Sequence, residues 1–177
     1  TIGGLNPDFA NVAFAASHLN TYGICGDVTF NIRSGTYLNS FSLDAVSSVN
    51  GEHTITFQSE AGHADSVILN RTATQGNIYS TLVVNGTKNL VFRNLTFENF
   101  ATDNFYGGPL TTIVLSGPLK NIRFEKNKII SRSQHPDSPV YGVDIQAGAT
   151  DPAIGHIVFD GNRFEGGRHA VYCSSNL

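Results

Sequence analysis

The chain repeats itself with a period of about 30 residues. "NLVFRNLTF" begins at Asn89, "NIRFEKNKI" at Asn121 and "HIVFDGNRF" at His156. Each copy holds an aliphatic residue, a Phe two positions on, then an Asn, then a second large apolar residue. The matched aromatics are Phe92, Phe124 and Phe159, spaced 32 and 35 residues apart. Phe57, in "HTITFQS", precedes Phe92 by 35 and reads as an earlier copy.

A second strand pattern accompanies the first: "TLVVNG" from Thr81, "TTIVLSG" from Thr111, "YGVDIQAG" from Tyr141 and "HAVYCSS" from His169. A one-residue slip would turn an apolar set outward, so the alternation fixes the register. It places Leu82/Val84, Ile113/Leu115, Val143/Ile145 and Val171/Cys173 inward. The next inward position is small throughout: Gly86, Gly117, Ala147 and Ser175. Three short strands with no helix cannot bury a core alone, but stacked at ~4.8 Å per coil they bury a continuous one. The chain is therefore predicted to be an all-β, right-handed parallel β-helix. Asn127 and Asn162 are expected to turn the same corner in a left-handed conformation, with Asn94 one residue out of that register.

The opening differs. Phe9, Val12, Ala13, Ala16 and Leu19 recur at helical spacing, with Asn6 as expected N-cap, Pro7 in the first turn and Gly23 as the stop. From Val28 the period becomes two, and Ser34-Gly35 reads as a turn. This divides the chain into an N-terminal cap, residues 1–27, with a capping α-helix over the first coil, and β-helix coils over residues 28–177. The sequence stops just after the strand from His169, so the natural protein is expected to continue beyond Leu177.

Composition supports strands and turns: 18 glycines and only 14% charged residues. The net charge of −3, with no Lys/Arg run, predicts no basic face and no nucleic-acid partner. No apolar stretch approaches the ~20 residues of a membrane helix. Cys25 and Cys173 fit no metal pattern. Five coils apart, at roughly 24 Å, they cannot bond to each other. Both are expected as small buried apolar residues, unless Cys173 pairs with sequence beyond Leu177.

At "DFANVAFAASHLN…VTFNIRSGTY…HTITFQSEAG…SVIL" the chain resembles the start of pectin-lyase-like β-helix proteins, pectin methylesterases among them. The opening "TIGG…PDFA…VTFNIRSGTY…ITFQSE" resembles more closely the large β-helix proteins exported to the surface of Bacteroidota, many as cargo of the type IX secretion route. That resemblance implies a secreted or cell-surface, outer-membrane-associated protein, with the secretion machinery among its partners. The "QDTL" and "VDFIFG" motifs of pectin methylesterases are absent, and the calcium-binding Asp cluster and catalytic Arg of pectate lyases have no recognisable counterpart. The resemblance therefore implies no catalytic residue, metal or cofactor.

Two places remain for binding. On the outward face of the second strand, Asp144, Gln146 and Tyr172 bring a carboxylate, an amide and an aromatic ring within ~5–10 Å, chemistry that holds a sugar of a polysaccharide or cell-surface glycan. Tyr106, with Asp103, and Arg132, His135 and Asp137 lie in the loops "ENFATDNFYGGPL" and "SRSQHPDSP", which leave the same edge of the stack. The plainer alternatives are a solvated strand face and tolerated insertions. Asp144 has no carboxylate in its column one coil either side, so the carboxylate pair of a glycosidase is not evident. The expected function is a non-catalytic adhesin, stalk or carbohydrate-binding segment. The alternative is a polysaccharide-acting lyase, esterase or glycosidase with catalytic coils partly beyond residue 177.

Overall fold

A computed structural model describes residues 1–38, 40–48, 51–73, 80–101, 110–133, 140–147 and 155–175. Helix α1 (Val12–Tyr22) is followed by β1 (Val28–Ile32), β2 (Gly35–Tyr37), β3 (Phe41–Asp44), β4 (Ile55–Ser59), β5 (Val67–Ala73), β6 (Leu82–Asn85), β7 (Leu90–Arg93) and β8 (Thr96–Ala101). Then come β9 (Leu110–Ser116), β10 (Lys120–Glu125), β11 (Lys128–Ser133), β12 (Val140–Ala147), β13 (Gly155–Asp160), β14 (Arg163–Gly166) and β15 (His169–Ser175). Every third strand joins the same sheet. Sheet 1 has the order β1-β4-β7-β10-β13, sheet 2 β2-β5-β8-β11-β14 and sheet 3 β3-β6-β9-β12-β15. All neighbours in these sheets run parallel. The fold is thus a parallel β-helix, three strands to a coil, with coil one beginning at β1 and coil five at β13.

The register follows the sequence pattern. Phe57, Phe92, Phe124 and Phe159 pair directly across sheet 1. Their rings stack at 5.6, 5.1 and 5.3 Å, and Phe30 extends the column at 4.8 Å. In sheet 3, Leu82, Ile113, Val143 and Val171 align, as do Val84, Leu115, Ile145 and Cys173. A core-facing column of identical side chains needs no coil-specific shape, so each coil templates the next.

The entry to the first coil departs from the sequence reading. Helix α1 starts after Asn11, whose side-chain oxygen accepts from the Phe14 N–H at 3.0 Å. Asn6 is not the cap; it lies outside the helix with φ 48°. The reason is Ile2, which is fully buried. Its N–H donates to Asn31 O and its carbonyl accepts from Arg33 N–H, both at 3.0 Å, so the segment before the helix covers the edge of β1. Local capping chemistry at Asn6-Pro7 yields to that burial. The stop is as expected: Gly23, at φ 66°, donates to Leu19 O at 2.8 Å. The helix buries Val12, Ala15, Ala16 and Leu19 against the first coil.

The corner between sheets 1 and 2 also differs in detail. Asn127 and Asn162 are not left-handed. The left-handed residue is the one before, Lys126 (φ 54°) and Gly161 (φ 61°), and Asn94 (φ 57°) occupies that same position in coil three. That coil therefore bends like its successors. Asn127 and Asn162 instead point inward as a ladder. Asn127 accepts from Leu95 N–H at 2.9 Å and donates to Phe92 O at 2.8 Å; Asn162 does the same for Asn127 N–H and Phe124 O. His156 takes the left-handed place of Asn89 and Asn121 at the opposite end of sheet 1. Ser34-Gly35 is not an isolated turn, since Gly35 already opens β2.

Both cysteines are exposed, against expectation. Cys25 lies outside the strand core, and Cys173 faces inward on β15, which ends the order of its sheet.

Candidate functional site

Strands β12 and β15 build the candidate site on the outer face of sheet 3. Asp144 pairs in register with Tyr172 on one side and Val114 on the other, and Gln146 pairs with Ser174. Gln146 Nε2 donates to Asp144 Oδ2 at 2.9 Å. That bond fixes the amide, and Asp144 is only 6% exposed. Parallel pairing then sets Tyr172 one coil away. Its ring lies flat on Tyr141, centroids 4.6 Å apart and planes 7° from parallel. His169 stands beside both rings at 5.6 and 5.7 Å. Tyr172 remains 38% exposed.

The sequence reading named Asp144, Gln146 and Tyr172, and the structure brings these three together. It missed Tyr141 and His169. Strict alternation from Val143 and Ile145 counts Tyr141 as inward, yet its ring lies against outward Tyr172. Arg132 is elsewhere: it sits on β11 in sheet 2, with Nη2 at 3.6 Å from Glu165 Oε2. Tyr106, His135 and Asp137, together with Asp103, lie outside the described residues.

The adjacent outward column of this sheet, that of Gln146, does plain structural work at the other end of the stack. Asp44 accepts from Ser42 Oγ at 2.6 Å, and its N–H donates to Asn20 Oδ1 at 3.0 Å, fastening α1 onto β3. A carboxylate on this face is therefore not a binding group by position alone. What sets Asp144 apart is the aromatic stack one coil on.

A second charged array lies on the outer face of sheet 1. Glu125 sits between two arginines: Arg93 Nε and Nη2 both reach its Oε2 at 2.8 Å, and Arg123 Nε reaches Oε1 at 2.8 Å. The hydrogen bond from Arg123, seconded by Arg93, holds the Glu125 carboxyl below its ordinary range against the opposing effect of burial. A depressed carboxylate stabilises the fold above its unfolded pKa of ~4.3, and that stabilisation is lost as pH falls through the lower folded value. Melting temperatures recorded from pH 7 down to pH 3 should therefore fall more steeply for the native chain than for Glu125→Gln. Parallel curves would mean that the pairs contribute nothing.

Among the described residues no group of three or more His, Cys, Asp or Glu side chains is placed to hold a metal ion. No helix among them is long and apolar enough to cross a membrane. Comparison with known protein families, with curated proteins and with solved structures found no match.

Proposed function

We propose that this chain is a glycan-binding segment of a β-helix protein displayed outside the cell, acting as an adhesin or stalk without catalysis of its own. The observation that carries the reading is the Tyr141–Tyr172 stack beside the hydrogen-bonded Asp144–Gln146 pair. A flat aromatic surface accepts the C–H face of a sugar ring, while the exposed Gln146 amide, held by the buried Asp144, takes its hydroxyls. Both strands belong to a continuous sheet, so the groups are held without an ordering cost on binding. The resemblance of the opening segment to surface-exported β-helix proteins supports display and export as secretion cargo. The register around Asp144 argues against a glycosidase pair on this face, since its column neighbours are Val114 and Tyr172.

A neutral-glycan array followed by titration tests this. The native chain should retain a subset of glycans, and Tyr172→Ala should weaken the best of them by roughly tenfold. Release of shortened product from a bound polysaccharide would replace the adhesin with an enzyme. Binding untouched by Tyr172→Ala would remove this face as the site.

A further inference from the structure

The basic residues of the chain are concentrated in one stretch. Residues 1–87 carry six carboxylates and two Lys/Arg, and residues 134–177 carry five carboxylates and two Lys/Arg. Residues 88–133 carry seven Lys/Arg and three carboxylates. The coil register turns that stretch into a surface. Arg93 and Arg123 stand on the outer face of sheet 1, Lys88 and Lys120 lie together at the start of β7 and β10, and Lys126 marks the far corner. The low net charge thus conceals a basic face that the sequence reading did not expect.

Three features make this face more than scattered surface charge. Lys88 and Lys120 line a groove of about 370 Å³, whose floor is tied by Asn121 donating to Asn89 at 2.8 Å and Asn89 donating to Gly51 O at 2.9 Å. Glu52 stands on its rim. Next, Lys88, Lys120 and Lys126 have no carboxylate within ion-pair distance among the described residues, whereas Lys128 is engaged by Glu165 and Asp65. Last, Glu125 holds both guanidinium groups in place on the face, with Arg93 and Arg123 still 44% and 47% exposed. The patch has edges. Gln58 and Asn31, bonded to each other at 2.8 Å, continue it neutrally on one side, and Asp160 pairs with Glu125 on the other. Lys120 and Lys126 bracket β10, roughly 20 Å apart along the strand.

We propose that this face binds a polysaccharide bearing sulphate or phosphate esters, lying along the strands from the Lys88–Lys120 groove toward Lys126. A carboxylate prefers the bidentate edge of an arginine. Here Glu125 already occupies Nε and Nη2 of Arg93 and Nε of Arg123, so incoming uronates find that edge taken. The unpaired lysines are point charges, which suit a tetrahedral oxyanion without demanding planar geometry. Nucleic acid fits less well. The outward rows of sheet 1 here are Val91, Arg123, Val158 and Arg93, Glu125, Asp160, which offer bases no aromatic to stack on, and the flat sheet presents nothing to a groove.

The site lies on a different sheet from Tyr172, so it stands or falls apart from the neutral-glycan reading. The test titrates the 177-residue chain with dextran sulphate, phosphomannan, polygalacturonate, plain dextran and a single-stranded oligonucleotide, at low and high salt. Dextran sulphate or phosphomannan should bind, the tighter of the two naming the ester, and affinity should fall as salt rises. Lys88→Gln with Lys120→Gln and Lys126→Asn should cost about fivefold per lysine, on the order of a hundredfold together. Asn suits the left-handed corner that Lys126 occupies, as Asn94 shows one coil earlier. If that corner nonetheless lowers the melting temperature, the Lys88→Gln, Lys120→Gln pair alone should still lose roughly 25-fold. Polygalacturonate binding as tightly as the esters would overturn the anion chemistry, and tighter oligonucleotide binding would overturn the glycan. No binding, or binding indifferent to the lysine variants, would overturn the site.

Discussion

Phe124→Ala should be the most damaging single truncation in the stack, costing about 3–5 kcal/mol, which for a chain this size lowers the melting temperature by roughly 6–20 °C. Phe124 is fully buried, stacked on Phe92 at 5.1 Å and Phe159 at 5.3 Å, with Phe97 edge-on at 6.3 Å. Removing the ring opens a cavity that no flexible neighbour can fill, because each adjacent Phe is held by its own strand pairing. The stack also makes the loss directional. Coils touch only their neighbours, so weakening coil four loosens coil five first. Hydrogen exchange should therefore show β13, β14 and β15 losing protection before β4 and β7. Phe159→Ala should cost less than Phe124→Ala, since Phe159 is only partly buried. Equal losses at the two positions would mean that the column does not act as a stack.

The repeat was legible because burial in a β-helix is periodic twice over, every second residue along a strand and every coil down the stack. Phe57, Phe92, Phe124 and Phe159 satisfy both periods, and so do the Leu82 and Val84 columns. Where the sequence misled, a local signal competed with burial at a distance. Asn6-Pro7 has the chemistry of a helix start, yet Ile2 is worth more against β1 than a longer helix would be. At the corner the asparagines were visible but their parts were exchanged. The left-handed turn accepts Asn, Lys or Gly, as Asn94, Lys126 and Gly161 show, whereas the inward amide at Asn127 and Asn162 answers unpaired backbone groups that no sequence pattern reveals.

The candidate site was legible in the same partial way. Asp144, Gln146 and Tyr172 are neighbours by register alone, and register could be read. Tyr141 was hidden because the alternation that correctly sets Val143 and Ile145 inward says nothing of where a ring leans at the start of a strand. His169 sits opposite Tyr141 only through strand pairing. The basic face was hidden by summation: a net charge averages over a surface, and residues 88–133 oppose the sign of the rest.

Asn127→Ala should cost nearly as much as the Phe124 truncation, though it removes only one small polar group. Asn127 is 2% exposed, and its amide satisfies the N–H of Leu95 and the carbonyl of Phe92 together. Truncation strands two buried backbone groups at about 1–3 kcal/mol each, hence about 2–6 kcal/mol. Asn127→Leu separates this from simple packing. Leucine is what coil three already carries at the aligned position, Leu95, so the corner accommodates its shape. If Asn127→Leu melts as low as Asn127→Ala, the hydrogen bonds carry the stability. If leucine restores it, the ladder is merely a filler and the corner is held by the left-handed Lys126 and its bond to Asp160 O at 2.8 Å. The first outcome is the one expected, because the Leu95 N–H and the Phe92 carbonyl belong to buried residues and depend on the Asn127 amide for their hydrogen bonds.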